Sequence, residues 1–125
     1  MSEGREHRRA VQALARTMHR RGIIVHAADA PGWPRPPLIG GRRPDVLGFY
    51  PVVGVAVVGE VKRGPEVWAC YPQLWVADAL AELCPTGACG LFILALTDGW
   101  VPDVAVLCDT LRGPRTWVTV WSDVG

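Results

Sequence analysis

Apolar side chains recur at Val11, Leu14, Ala15 and Met18, three and four residues apart. That spacing places them on one face of a helix, predicted over residues 3–21. Arg8, Arg9, Arg16, Arg20 and Arg21 cover the remaining surface, Ser2 suits an N-cap and Gly22 ends the element. The pattern then shortens. Ile23 to Ala28 reads as a strand with His26 near its end. Val46 to Tyr50 and Val55 to Lys62 read as two more, bounded by Pro and Gly and joined through Pro51–Gly54. Helical spacing returns at Leu74, Ala77, Leu80, Ala81 and Cys84, predicting a helix over Tyr71–Cys84 between Pro72 and Pro85. Leu91 to Leu96 is a continuous apolar run, as in a buried strand. Val101 to Leu107 fits a strand or a short helix. Thr116 to Trp121 alternates, with Trp117, Thr119 and Trp121 on one face.

Helix, strands, helix and strands in this order predict an α/β domain with a mixed central sheet flanked by helices, one domain over residues 1–125. Residues 29–43 have no periodicity. Pro31, Pro34, Pro36 and Pro37 stiffen the first half of this loop, and Gly40 and Gly41 loosen the second. Trp33 fits either packing on those prolines or stacking on a base.

Half of the residues are apolar, as in a globular chain. No apolar run reaches the roughly 18 residues of a membrane span, and the Arg-rich start lacks a signal-peptide core. A cytoplasmic location without membrane contact is expected. Cys70, Cys84, Cys89 and Cys108 do not complete a zinc-binding spacing and read as free thiols. The net charge is only +1, but it is unevenly spread. Residues 1–43 hold nine arginines against Glu3, Glu6 and Asp29, whereas residues 44–125 hold four cations against nine acids. A basic half of this kind suits a polyanion such as DNA. Arg42 and Arg43 in the loop and Arg63 after the hairpin are the candidate phosphate contacts.

The hairpin carries the candidate chemistry. If Val52 and Val53 form its tip, Tyr50 opposes Val55 and Asp45 opposes Glu60. Two carboxylates directly across a strand pair repel, and a cation between them removes the repulsion. Mg²⁺ suits such a pair, because it takes one or two protein carboxylates and keeps several waters. Mn²⁺ is expected to substitute. Lys62 shares the face of Glu60, two residues on, and is placed to hold a water or a phosphate oxygen.

Pro44-Asp45, then fourteen residues, then Glu60-Val61-Lys62 resembles the PD-(D/E)xK nuclease superfamily, most closely the VRR-NUC nucleases and Holliday-junction resolvases. The resemblance runs from about Glu3 to Leu83. It implies a restriction-endonuclease-like core and a metal-dependent endonuclease that leaves a 5′-phosphate and a 3′-hydroxyl. By the same resemblance Asp45, Glu60 and the Val61 carbonyl hold the metal, and Lys62 orients or activates the attacking water. A first-helix carboxylate reaches the metal face; Glu6 fits its spacing from Gly22, with Glu3 as the alternative. Gln73, eleven residues after Lys62, matches a glutamine near the site. For each, an ordinary surface role stays open. Two further readings are a restriction or transposition subunit guided by a co-encoded protein, and a non-catalytic DNA-binding module. A homodimer is expected of so small a domain cutting both strands. Trp75, on a polar helix face, and the Trp117/Trp121 pair are its candidate interface.

Overall fold

The computed structural model describes residues 2–39, 41–63, 90–97, 109 and 116–122. Helix α1 spans Ser2–Arg20 and is followed by strands β1 (Ile24–Ala28), β2 (Val46–Tyr50), β3 (Val55–Lys62), β4 (Gly90–Leu96) and β5 (Thr116–Trp121). The strands form one mixed sheet in the order β1-β2-β3-β4-β5. The pairs β1/β2 and β2/β3 are antiparallel; β3/β4 and β4/β5 are parallel.

The end of α1 follows from Gly22. Its φ of 87° is left-handed, which glycine adopts without the Cβ penalty. The Gly22 amide donates to the His19 carbonyl, and the Ile23 amide donates to the Met18 carbonyl. These two bonds make a Schellman motif that satisfies the last carbonyls and turns the chain into β1. Gly54, with φ 70°, does the same for the β2–β3 loop, and its amide donates to the Tyr50 carbonyl at 2.9 Å. Val52 and Val53 therefore need no special conformation. Tyr50 pairs with Val55 and Val46 with Gly59, the register expected from the sequence.

The apolar stripe of α1 packs on one face of the sheet. Val11, Leu14, Ala15 and Met18 are fully buried against Val46, Val57, Val61, Ile93 and Ala95. Alternation sends Val58, Phe92, Leu94 and Leu96 to the other face, where Leu47, Val118, Val120 and Ile39 join them. Glu60 and Lys62 share this second face with Val58.

Three local expectations change. His26 sits mid-strand, exposed, at a bulge in the β1–β2 ladder, not at the strand's end. The 29–43 loop contains one regular contact, a bridge between Ile39 and Arg42 beside Gly41 at φ 79°. Trp121 does not join an exposed pair with Trp117. It packs on the α1 side of the core, and the Arg21 guanidinium lies 4.3 Å from its ring centroid, whereas Trp117 is half exposed. The helix predicted over Tyr71–Cys84 with Gln73 and Trp75, the Val101–Leu107 element and the four cysteines lie outside the described residues. No described helix is long and apolar enough to cross a membrane.

Candidate active site

β2 begins at Val46, one residue after Asp45, while β3 continues to Lys62. At this point the two strands part, and the β3 amides lose their partners on β2. The Asp45 side chain takes over. Its Oδ2 accepts the Val61 amide at 2.9 Å, and its own amide donates to Glu60 Oε1 at 3.3 Å. The Asp45 carbonyl accepts the Asp29 amide at 2.8 Å, fixing the return of the 29–43 loop. Asp45 and Glu60 are thus locked together by backbone geometry, and both are buried, at 9% and 2% exposure.

The other Asp45 oxygen, Oδ1, lies 3.1 Å from His7 Nε2. Among the described side chains of α1, His7 is the one that reaches the site. Glu6, expected there, is exposed on α1. Successive helical residues point about 100° apart, and the hydrogen bond to Asp45 described on α1 comes from His7. The signal was present in the sequence. Residues 7, 11, 14 and 18 continue the same i, i+4, i+7 row, so the apolar stripe extended by one turn arrives at His7. The placement of α1 is the second reason. It covers the face opposite Glu60 and Lys62, and only its first turns reach the end of the sheet where Asp45 sits.

Electrostatics separate the two carboxyls. Burial, then the adjacent Asp45 charge, push the Glu60 carboxyl well above the usual carboxylate range. Burial also pushes Asp45 up, but hydrogen bonds from His7, Glu60 and the Val61 amide outweigh it and hold Asp45 low. His7 is held above its ordinary value, chiefly by its hydrogen bond to Asp45. Without a cation the pair is therefore a neutral Glu60 beside an ionised Asp45, and the repulsion expected across the strands is removed by a proton.

Lys62 is half-buried on the face of Glu60, and its carbonyl accepts the Thr97 amide at 3.3 Å. Arg43 donates to the Pro36 carbonyl and Arg42 closes the bridge to Ile39, so both arginines contribute to the loop's own structure. Arg63 is exposed. The side chain of Glu3 and all of Gln73 lie outside the described residues.

Among the described residues no three His, Cys, Asp or Glu side chains form a ready-made metal cage. The donors that do meet nevertheless fit a hard cation. A hard cation takes oxygen ligands, and the carboxylates of Asp45 and Glu60, held together by the Asp45 amide's bond to Glu60 Oε1, supply them. Asp45 and Glu60 also retain unused lone pairs. Comparison of the chain with protein-family models, with curated proteins and with solved structures gives no match.

Proposed function

We propose that this chain is a Mg²⁺-dependent DNA endonuclease with a restriction-endonuclease-like core, as its resemblance to PD-(D/E)xK nucleases implies. One observation carries the reading: Asp45 and Glu60 meet, buried, where β2 and β3 part, and Lys62 follows on the Glu60 face. Asp45 and Glu60 would hold the ion, with the Val61 carbonyl by family resemblance. When bound, the ion supplies a water of lowered pKa and positive charge at the phosphate. Lys62 orients that water toward phosphorus. His7 holds Asp45 in place through Oδ1, the position the resemblance gave to Glu6. Arg63, on the chain just past Lys62, contacts a flanking phosphate. A homodimer supplies two such sites for duplex cutting, and Mn²⁺ replaces Mg²⁺.

The test is cleavage of a labelled junction, a flap, a single strand and a plasmid with Mg²⁺ or Mn²⁺. Asp45→Ala, Glu60→Ala and Lys62→Ala should each lower the rate by about 10²-fold or more, through loss of charge preorganised at the phosphate. Near-wild-type cutting by Asp45→Ala would overturn the site. A second reading, a non-catalytic DNA-binding module, is favoured by the internal satisfaction of Asp45, whose two oxygens both accept protein hydrogen bonds. It predicts salt-sensitive DNA binding with no cleavage under any metal.

A further inference from the structure

Two hollows flank the first half of α1. One, of about 940 Å³, is lined by Arg5, His7, Arg8, Arg9, Gln12 and Pro31 among others. The second, of about 450 Å³, lies between Arg8, Pro31, Trp33 and Arg35, with Asp29 as the one acid among its described lining residues. Arg8 and Pro31 line both, so the hollows adjoin along one groove between α1 and residues 28–35. Gln12 Nε2 donates to the Pro31 carbonyl at 3.4 Å and ties the two walls together.

Four arginines on this groove, Arg5, Arg8, Arg9 and Arg35, are exposed. The ion pair found among the described residues is His7–Asp45, which leaves these four guanidinium groups without a carboxylate partner there. Each carries five N–H donors in a fixed fork suited to phosphate oxygens. The groove also leads somewhere. His7 lines it and is 3.1 Å from Asp45, so a chain of phosphates lying along α1 arrives at the buried carboxylates. The Arg43 guanidinium, by contrast, is engaged within its loop, where it donates to the Pro36 carbonyl.

We infer that the groove between α1 and residues 28–35 is the phosphate track of the DNA strand to be cut, with Arg5, Arg8, Arg9 and Arg35 as its contacts. This rests on the endonuclease reading. The track exploits concavity, since a groove with basic walls grips one narrow polyanion, whereas an anionic membrane surface is flat. Trp33, half-buried beside Arg35, offers a base a stacking surface at the far end.

The experiment measures binding of a labelled duplex by anisotropy in chelator, where nothing is cut, across a series of NaCl concentrations. The Arg5→Ala/Arg8→Ala/Arg35→Ala protein should bind more weakly. Its slope of log K against log salt should fall by about 2.7, the loss of three phosphate contacts on duplex DNA. Arg43→Ala, whose guanidinium is held by the Pro36 carbonyl, should leave the slope close to wild type. An unchanged slope in the groove variant overturns the track, as does tighter salt-dependent binding to vesicles of anionic lipid than to DNA. The reading beneath it fails separately. If the groove variant loses the slope while wild type cuts no substrate with Mg²⁺ or Mn²⁺, the track stands and the endonuclease falls. Melting curves of the variants confirm that each is folded.

Discussion

Glu60 keeps its proton in the metal-free fold, and this sets how stability responds to pH. In the unfolded chain a glutamate ionises near its ordinary value of 4.5. Above that pH the unfolded state binds fewer protons than the folded one, so stability falls as pH rises. His7 acts in the same direction: its folded value is raised above 6.5, so its contribution is present below 6.5 and is lost as pH climbs through the raised value. Asp45 acts oppositely. Its folded value lies below 3.8, so its contribution is present above 3.8 and is lost as pH falls through the lowered value. In chelator the melting temperature should therefore peak in mild acid and decline through neutral pH to pH 8. Glu60→Gln should flatten that decline and melt above wild type at pH 8, since the amide keeps the shape and has no proton to lose. Asp45→Asn should melt below wild type, by about 1–3 kcal/mol, because it weakens the bonds to His7 and to the buried Val61 amide. Melting curves at three pH values check all of this; a wild type that gains stability toward pH 8 would contradict the assignment of the proton. The pairing of Asp45 with Glu60 was legible in the sequence, because the register follows by counting down both strands from Val52 and Val53 at the loop tip. The proton was not, since its location depends on how deeply both carboxyls are buried, which a linear pattern does not reveal.

At the scale of elements, two glycines set how closely the layers approach. A Cβ on Gly59 would lie 3.0 Å from Leu14 Cδ2 and 3.3 Å from both Met18 Sδ and Val46 Cβ. The side chains of α1 can yield a little, so Gly59→Ala should cost about 1–3 kcal/mol, the usual range for overpacking. A Cβ on Gly48 would meet the Ile24 carbonyl oxygen at 2.5 Å. That neighbour is backbone in the β1–β2 ladder and can move only by disrupting the pairing, so Gly48→Ala should cost more than Gly59→Ala. Urea denaturation orders the two; equal midpoints would show that β1 adjusts more freely than its bonding implies. The described elements themselves match their sequence signals closely. The α1 stripe and the hairpin strands each have a period that only one structure satisfies, and the unbroken apolar run of β4 has the length of a buried strand. What the pattern missed were features with no period: the bulge at His26, and the packing of Trp121 under Arg21, which joins residues far apart in the chain. His7 lies between these cases. It continues a legible stripe, but its role depends on where α1 meets the sheet.

For the whole molecule, the uneven charge now has a location. The arginine-rich first third of the sequence is α1 and the loop beside it, and the buried carboxylates lie at the end of the sheet that this basic surface approaches. If one copy carries one cutting site, duplex cleavage calls for two copies. Sedimentation velocity at tens of micromolar protein should show a dimer on duplex DNA, whereas a monomer throughout would restrict the proposed endonuclease to one strand per encounter. The strand order β1-β2-β3-β4-β5 repeats the order of the chain, and this has a consequence for biosynthesis. On the ribosome, His7, Asp45, Glu60 and Val61 are all translated before β4, so the buried carboxylate cluster can assemble while two of the five strands are still unmade. At that moment β3 presents to its surroundings the unpaired edge that β4 will later occupy. An open apolar edge is a template for joining other chains, so the nascent protein passes through a stage that already holds the buried carboxylate cluster and is prone to aggregation. A truncation after Arg63 should reproduce that stage, retaining every described residue of the site and accumulating as insoluble protein.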